Sequence, residues 1–281
     1  MKKLVAIVFV CLLILPAGLN KISAQEETAP SQAPVFDFDK ALSDHQYSYN
    51  QYRQAHLQYE TAKTAYLKFG TLNSKNEALE KAALMLTLRD ETIRTFLTAI
   101  RLKLAQVTNI NDYNLNLFYL KLDEQVVWYL KHANGFKSAG TLEDLLVLSR
   151  ESENKYSQDS LKMIYQTLHG IINYKVEQNI QTVETETQNI RTKLNQIKQT
   201  GDKDVTLAER WLLEAENRLE WSKQKQKQSS QAMDQTNQPR YSDKLESTFY
   251  SARFLLEEAN QYLKETNSYL LEVIKEVKNA D

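Results

Sequence analysis

The sequence predicts an all-α protein, an elongated helical bundle or coiled coil of about six long helices. Two observations carry this. No proline occurs for 204 residues between Pro34 and Pro239, and the few glycines are isolated, whereas sheets need frequent turns. Apolar residues recur at alternating steps of three and four along most of the chain, the spacing of one helical face. A hydrophobic content of 42% is enough to bury a core, and 25% charged residues is ordinary for a folded domain.

The first helix is placed at 36–69. Phe38, Leu42, His45, Tyr49, Tyr52, His56, Tyr59 and Tyr66 form its stripe, Ala41, Ala55 and Ala62 widen it, and Gly70 closes it. The second opens with Ser74-x-x-Glu77, a capping-box pattern, and carries Leu79, Leu86, Ile93, Ile100 and Val107 at a strict seven-residue interval. Asp90 stands in this otherwise apolar seam. Arg89 and Arg94 are its neighbours in sequence, and a tyrosine hydroxyl from the first helix is a candidate partner. A buried polar residue of this kind fixes register more often than it catalyses.

Asn111 or Asp112 caps the third helix, whose stripe is Leu115, Phe118, Leu122, Val126, Tyr129 and Ala133. Asn134-Gly135-Phe136 suits a left-handed end with Phe136 folding back onto Leu130, which places His132 in the last turn. Thr141 starts a fourth helix with no strong stop before Gly201, about 87 Å long at 1.5 Å per residue. Gly170 is its one internal weak point. The stripe before it is Leu142, Leu145, Leu146, Tyr156, Met163 and Ile164. After it comes a clean heptad of Val176, Ile180, Val183, Thr187, Ile190, Leu194 and Ile197, and such a change of register marks a change of partners.

The fifth helix, over 205–231, buries Ala208, Leu212, Ala215, Leu219 and Ser222, and Ser229 to Gln238 reads as a polar stretch ending at Pro239. The sixth steps four and three from Leu245 through Phe249, Ala252, Leu256, Ala259, Leu263, Thr266, Leu270 and Val273 to Val277. Its alternation of small and large residues lets an antiparallel partner approach closely, and Ala208 and Ala215 are suited to meet it. The first three helices and the start of the fourth predict an N-terminal four-helix bundle over 36–170. The rest of the fourth with the last two predicts a C-terminal three-helix coiled coil over 171–281, so the two share one long helix.

Export is read from the N-terminus. Lys2 and Lys3 precede an apolar run from Leu4 to Leu15, then Pro16, Ala17 and Gly18, and Ser23-Ala24 ends a signal peptide over 1–24. The run is short for a membrane span, which needs about 20 apolar residues, so a retained anchor is the alternative. Residues 25–35, with Pro30 and Pro34, read as a flexible tether. Cleavage after Ala24 removes three lysines, taking 35 basic residues to 32 against 36 acidic ones, and the sole cysteine, Cys11. A mature chain without cysteine has no disulfides and no thiolate chemistry. None of the 19 asparagines begins an Asn-x-Ser/Thr sequon, which fits a bacterial envelope. The expected location is extracytoplasmic: periplasm, cell envelope or secreted.

The motifs argue against specific chemistry. His45, His56, His132 and His169 show none of the Glu-x-x-His, His-x-x-x-His or His-Glu-x-x-His spacings that bind metal. Glycines never cluster as phosphate loops require. The near-neutral charge lacks the basic excess of a nucleic-acid binder, and Lys223, Lys225 and Lys227 suit a helix C-terminus. No catalytic residue, cofactor or metal is expected. The tyrosines are more suggestive: Tyr47, Tyr49, Tyr52, Tyr59 and Tyr66 could form an aromatic binding face, although four of them sit on the stripe that a bundle core fills.

The expected function is a non-enzymatic exported helical scaffold or protein-interaction protein of the cell envelope. The alternative is an extracytoplasmic ligand-binding or sensing bundle that uses the aromatic N-terminal face. Partners would be envelope or extracellular proteins or a second copy, with no nucleic acid. The membrane would be met only through an uncleaved N-terminal segment, and a glycan ligand has no direct support.

Overall fold

Among the described residues only Gly70 and Gly201 take a positive φ, +61° and +74°. Each ends a helix, as the sequence predicts. The computed structural model describes residues 37–107, 113–201, 203–237 and 244–279. The signal and tether assigned to 1–24 and 25–35, the cap at Asn111 or Asp112, and Pro239 lie outside them.

The helices are α1 (Phe38–Phe69), α2 (Leu72–Val107), α3 (Tyr113–Ser138), α4 (Leu142–Lys155), α5 (Leu161–Thr200), α6 (Thr206–Gln235) and α7 (Leu245–Asn279). No strand occurs among the described residues. A π-helical turn, Tyr156–Ser160, joins α4 to α5, and the backbone at its flanks stays right-handed helical. The predicted fourth helix is therefore one rod that runs straight through Gly170, and its irregularity lies a few turns earlier.

The phase of the buried residues explains the π-turn. Leu145 and Ser152 are buried seven apart, but the next buried residue is Ser160, eight further on. A continuous α-helix would present Asp159 at that position. The wider turn absorbs one residue, so Ser160 faces inward and Asp159 stays outside, 2.7 Å from Lys155.

α2 is the hub of the N-terminal half, packing against α1, α3, α4 and α5. This is why its buried set, from Ala78 to Leu104, reaches well beyond the predicted heptad: a helix covered on several sides is apolar on several sides. α1 lies antiparallel along it, with His45 against Thr92. α3 is antiparallel to α2 as well, with Arg101 against Asp123, whereas α4 is parallel, with Arg89 bonded to Ser149. In the C-terminal half α5, α6 and α7 pack on one another around Val176, Ile180, Val183, Leu194, Leu212, Leu219, Leu256 and Leu263.

Several helix ends depart from expectation. Thr71, not Ser74, caps α2: its hydroxyl accepts from the Ser74 amide at 3.2 Å, and Ser74 is buried inside the first turn. α3 does not stop at Asn134-Gly135 but continues to Ser138, which carries Phe136 into a cluster with Met85, Leu86 and Leu145. Burying a phenylalanine stabilises by about 2–3 kcal/mol, more than the roughly 1 kcal/mol cost of a helical glycine. The predicted start of α4 holds, with a capping box between Thr141 and Asp144. Leu146, placed on the inner stripe, is exposed. The stretch from Ser229 is helical to Gln235, because Ser229 and Met233 extend the buried seam of α6.

α6 and α7 touch through their small residues. Ala215, Ala252 and Ala259 are fully buried, Ser222 donates to the Ala259 carbonyl at 2.9 Å, and Ser229 donates to that of Ala252 at 2.7 Å. Backbones this close leave no room for a larger side chain. Ala215→Leu or Ala259→Leu is expected to cost about 1–3 kcal/mol by overpacking, read as a lower thermal midpoint. Two variants with the parent's midpoint would show that the seam tolerates bulk.

Candidate functional site

The tyrosines of the aromatic face on α1 differ in burial. The deepest positions of α1 are Phe38, Ala41, His45, Ser48, Ala55 and Ala62, so small side chains make the close approach to α2. Tyr49, Tyr52, Tyr59 and Tyr66 are half-buried along the edge of that seam, and Tyr47 is exposed. Tyr52 and Tyr59 pack against the cluster of Ala55, Met85, Leu86, Phe136 and Leu145. Burial pushes the Tyr52 phenol above its ordinary value, while Arg89 pulls it down. Arg53 lies over the Tyr49 ring at 6.0 Å and Lys63 over that of Tyr59 at 5.7 Å.

Asp90 is fully buried, and its partners come from α3 and α4 rather than from a tyrosine of α1. His132 Nδ1 donates to Asp90 Oδ2 at 2.6 Å, and Ser152 Oγ donates to Oδ1 at 2.6 Å. Arg89 Nε stands 3.6 Å from Oδ1, while its two terminal nitrogens donate to Ser149 Oγ and the Ser149 carbonyl at 3.2 and 3.3 Å. His132 is thus an interior residue of α3 rather than one in its last turn. Trp128 stacks on its ring at 4.4 Å and 13°, and Phe136 meets it edge-on at 5.0 Å. Its Nε2 lies 3.6 Å from Glu151 Oε2. Two turns along, Tyr129 and Ser160 hydroxyls meet at 2.9 Å, and Ser160 donates to Gln125 Oε1 at 2.9 Å.

This group holds the residue types of a hydrolytic triad in a different order. The serine hydrogen goes to the carboxylate instead of the imidazole, so the histidine has no hydroxyl to activate. What the arrangement does is tie three helices together: one carboxylate accepts from α3 and α4, and the adjacent arginine holds α4 a second time. Each bond is charge-assisted, and satisfying both oxygens compensates for the desolvation of Asp90.

Two other histidines link helices. His45 Nδ1 donates to the Thr92 carbonyl at 3.2 Å, and burial pulls its pKa down to about 4, offset in part by that bond. His169 Nε2 meets Ser229 Oγ at 2.8 Å; since Ser229 gives its hydrogen to the Ala252 carbonyl, the imidazole donates. Burial holds His169 at about 4 as well. Lys223 and Lys225 pair with Glu184 of α5 and Glu258 of α7. Among the described residues no group of three His, Cys, Asp or Glu side chains is placed to hold a metal ion.

Sequence reasoning singled out Asp90 and named Arg89 beside it, but found neither His132 nor Ser152. Ser152 carried the available signal, lying seven residues after the buried Leu145 on the inner stripe of α4. Comparison with known protein families, with curated proteins and with solved structures finds no match for this chain.

Proposed function

We propose that this chain is an exported, non-enzymatic helical scaffold or interaction protein that works outside the cytoplasm through its long helical surfaces. The observation that supports the reading is where the polar side chains are spent. His45, Asp90, His132 and His169 are all bonded across helix interfaces, while large apolar residues such as Leu57, Leu67 and Phe254 stay exposed. A protein that binds by surface places its contact residues outward and uses buried polar groups to hold register. The export part of the proposal rests on the N-terminal pattern alone. Protein from its native host should begin near Gln25, which mass measurement checks; retention of Met1 would favour an anchored form.

The second reading, a ligand-binding bundle, is favoured by the half-buried Tyr52 and Tyr59. Tyr52→Ala and Tyr59→Ala separate the two. A scaffold loses about 2 kcal/mol with each, less than the 3–5 kcal/mol of a fully buried aromatic. A receptor would keep its melting temperature and lose retention on a glycan or peptide array, and that result would end the scaffold reading for this half.

A further inference from the structure

Among the described residues, the α1–α2 hairpin extends beyond the turn between α3 and α4. α2 and α4 run parallel, since Arg89 bonds Ser149 and Ser152 bonds Asp90, pairs 60 and 62 residues apart. Thr141, before α4, is therefore level with the part of α2 just after Leu79. Gly70 lies about ten residues farther, so the hairpin reaches roughly 15 Å past the α3–α4 turn. Along this prong the two helices meet through the buried Ala62, Ser74 and Ala78. Its large apolar residues are left outside: Leu67 is 75% exposed, Phe69 61% and Leu72 74%.

The charge nearest them is basic, in a stretch bounded by Glu60 and Glu77. No acidic residue occurs from Thr61 to Asn76, a stretch that holds Lys63, Lys68 and Lys75. Lys68 lies 5.2 Å from the Phe69 ring, and Lys63 reaches back to Glu60 at 3.6 Å. On the turn that the prong overhangs, Asp144 is engaged in its capping box with Thr141.

We propose that this tip docks on an anionic lipid surface. Leu67, Phe69 and Leu72 enter the boundary between headgroups and acyl chains, and the lysines remain at the level of the phosphates with their stems along the apolar surface. Two like-charged tips repel, which argues against a second copy as the occupant. This membrane contact is separate from the N-terminal segment and does not depend on the scaffold reading.

The test uses the full chain with Cys11→Ser and Asn73→Cys, labelled with a polarity-sensitive fluorophore. A second protein carries the label through Leu213→Cys, an exposed position of α6. With vesicles of phosphatidylcholine plus phosphatidylglycerol, the tip label should shift to the blue and be quenched by spin-labelled lipid, while the α6 label stays unchanged. Phosphatidylcholine alone should give a weaker response. Replacing Lys63, Lys68 and Lys75 by Gln should weaken the tip response by about a hundredfold at low salt, at roughly 1 kcal/mol per lysine. A tip label that stays solvent-exposed while the protein sediments with anionic vesicles overturns the proposal. So does a blue shift that needs no lipid and grows with protein concentration, which would assign the tip to self-association.

Discussion

Stability should fall steeply between pH 6.5 and pH 4. His45 and His169 are buried and held at about 4, against 6.5 for an exposed histidine. The unfolded chain therefore takes up these two protons near pH 6.5, and the native state takes them up only near pH 4. Folding is favoured in full above pH 6.5, and the advantage is lost as pH falls through the native value. By pH 5 each histidine should have removed about 2 kcal/mol, a large share of the roughly 5–15 kcal/mol that holds a domain together. Denaturant unfolding at pH 7 and pH 5 checks this. His45→Gln and His169→Gln, which can keep a donor for Thr92 and Ser229, should each flatten the dependence by about half. A wild-type midpoint that is the same at both values would show that neither imidazole is held neutral.

The helices themselves were legible because their pattern is local. α7 is the clearest case: nine seam residues from Leu245 to Val273 are all buried, at the steps read from the sequence. The heptad of α5 and the small-residue seam of α6 followed for the same reason. Local rules misled where a long-range contact outweighed them. Gly135 looked like a helix end until Phe136 had a pocket to fill, and Ser74 looked like a cap until Thr71 took the role. In α1 the bulky tyrosines were expected deep and the alanines beside them, but a close interhelical approach reverses this order. The π-turn left no local sign, since its cause is the need to bring Ser160 rather than Asp159 to Tyr129. Of the partners of Asp90, His132 and Ser152 were out of reach because they lie 42 and 62 residues away, and their registers are set by packing alone.

Removing the Asp90 carboxylate is the most damaging single change expected. Asp90→Ala leaves the Ser152 hydroxyl and His132 Nδ1 without their acceptor and Arg89 beside an apolar gap, at 0% exposure. Breaking a buried charged group of this kind costs about 3–5 kcal/mol. The loss should appear as a lower denaturant midpoint, and Asp90→Asn, which keeps the shape and one acceptor, should lose less.

A double-mutant cycle on Asp90 and His132 separates a structural tie from a functional site most directly. Residues kept for chemistry or ligand binding are often tolerated at a cost to the fold, so truncating them leaves stability unchanged or raises it. Residues kept to hold helices in register destabilise when cut and couple to each other. The measurement is chemical unfolding of Asp90→Ala, His132→Ala and the double variant at pH 7. We expect both single variants to be less stable and their coupling to be about 1–3 kcal/mol. Single variants as stable as the parent, with no coupling, would contradict a structural role and make the Asp90–His132 pair a site held for function.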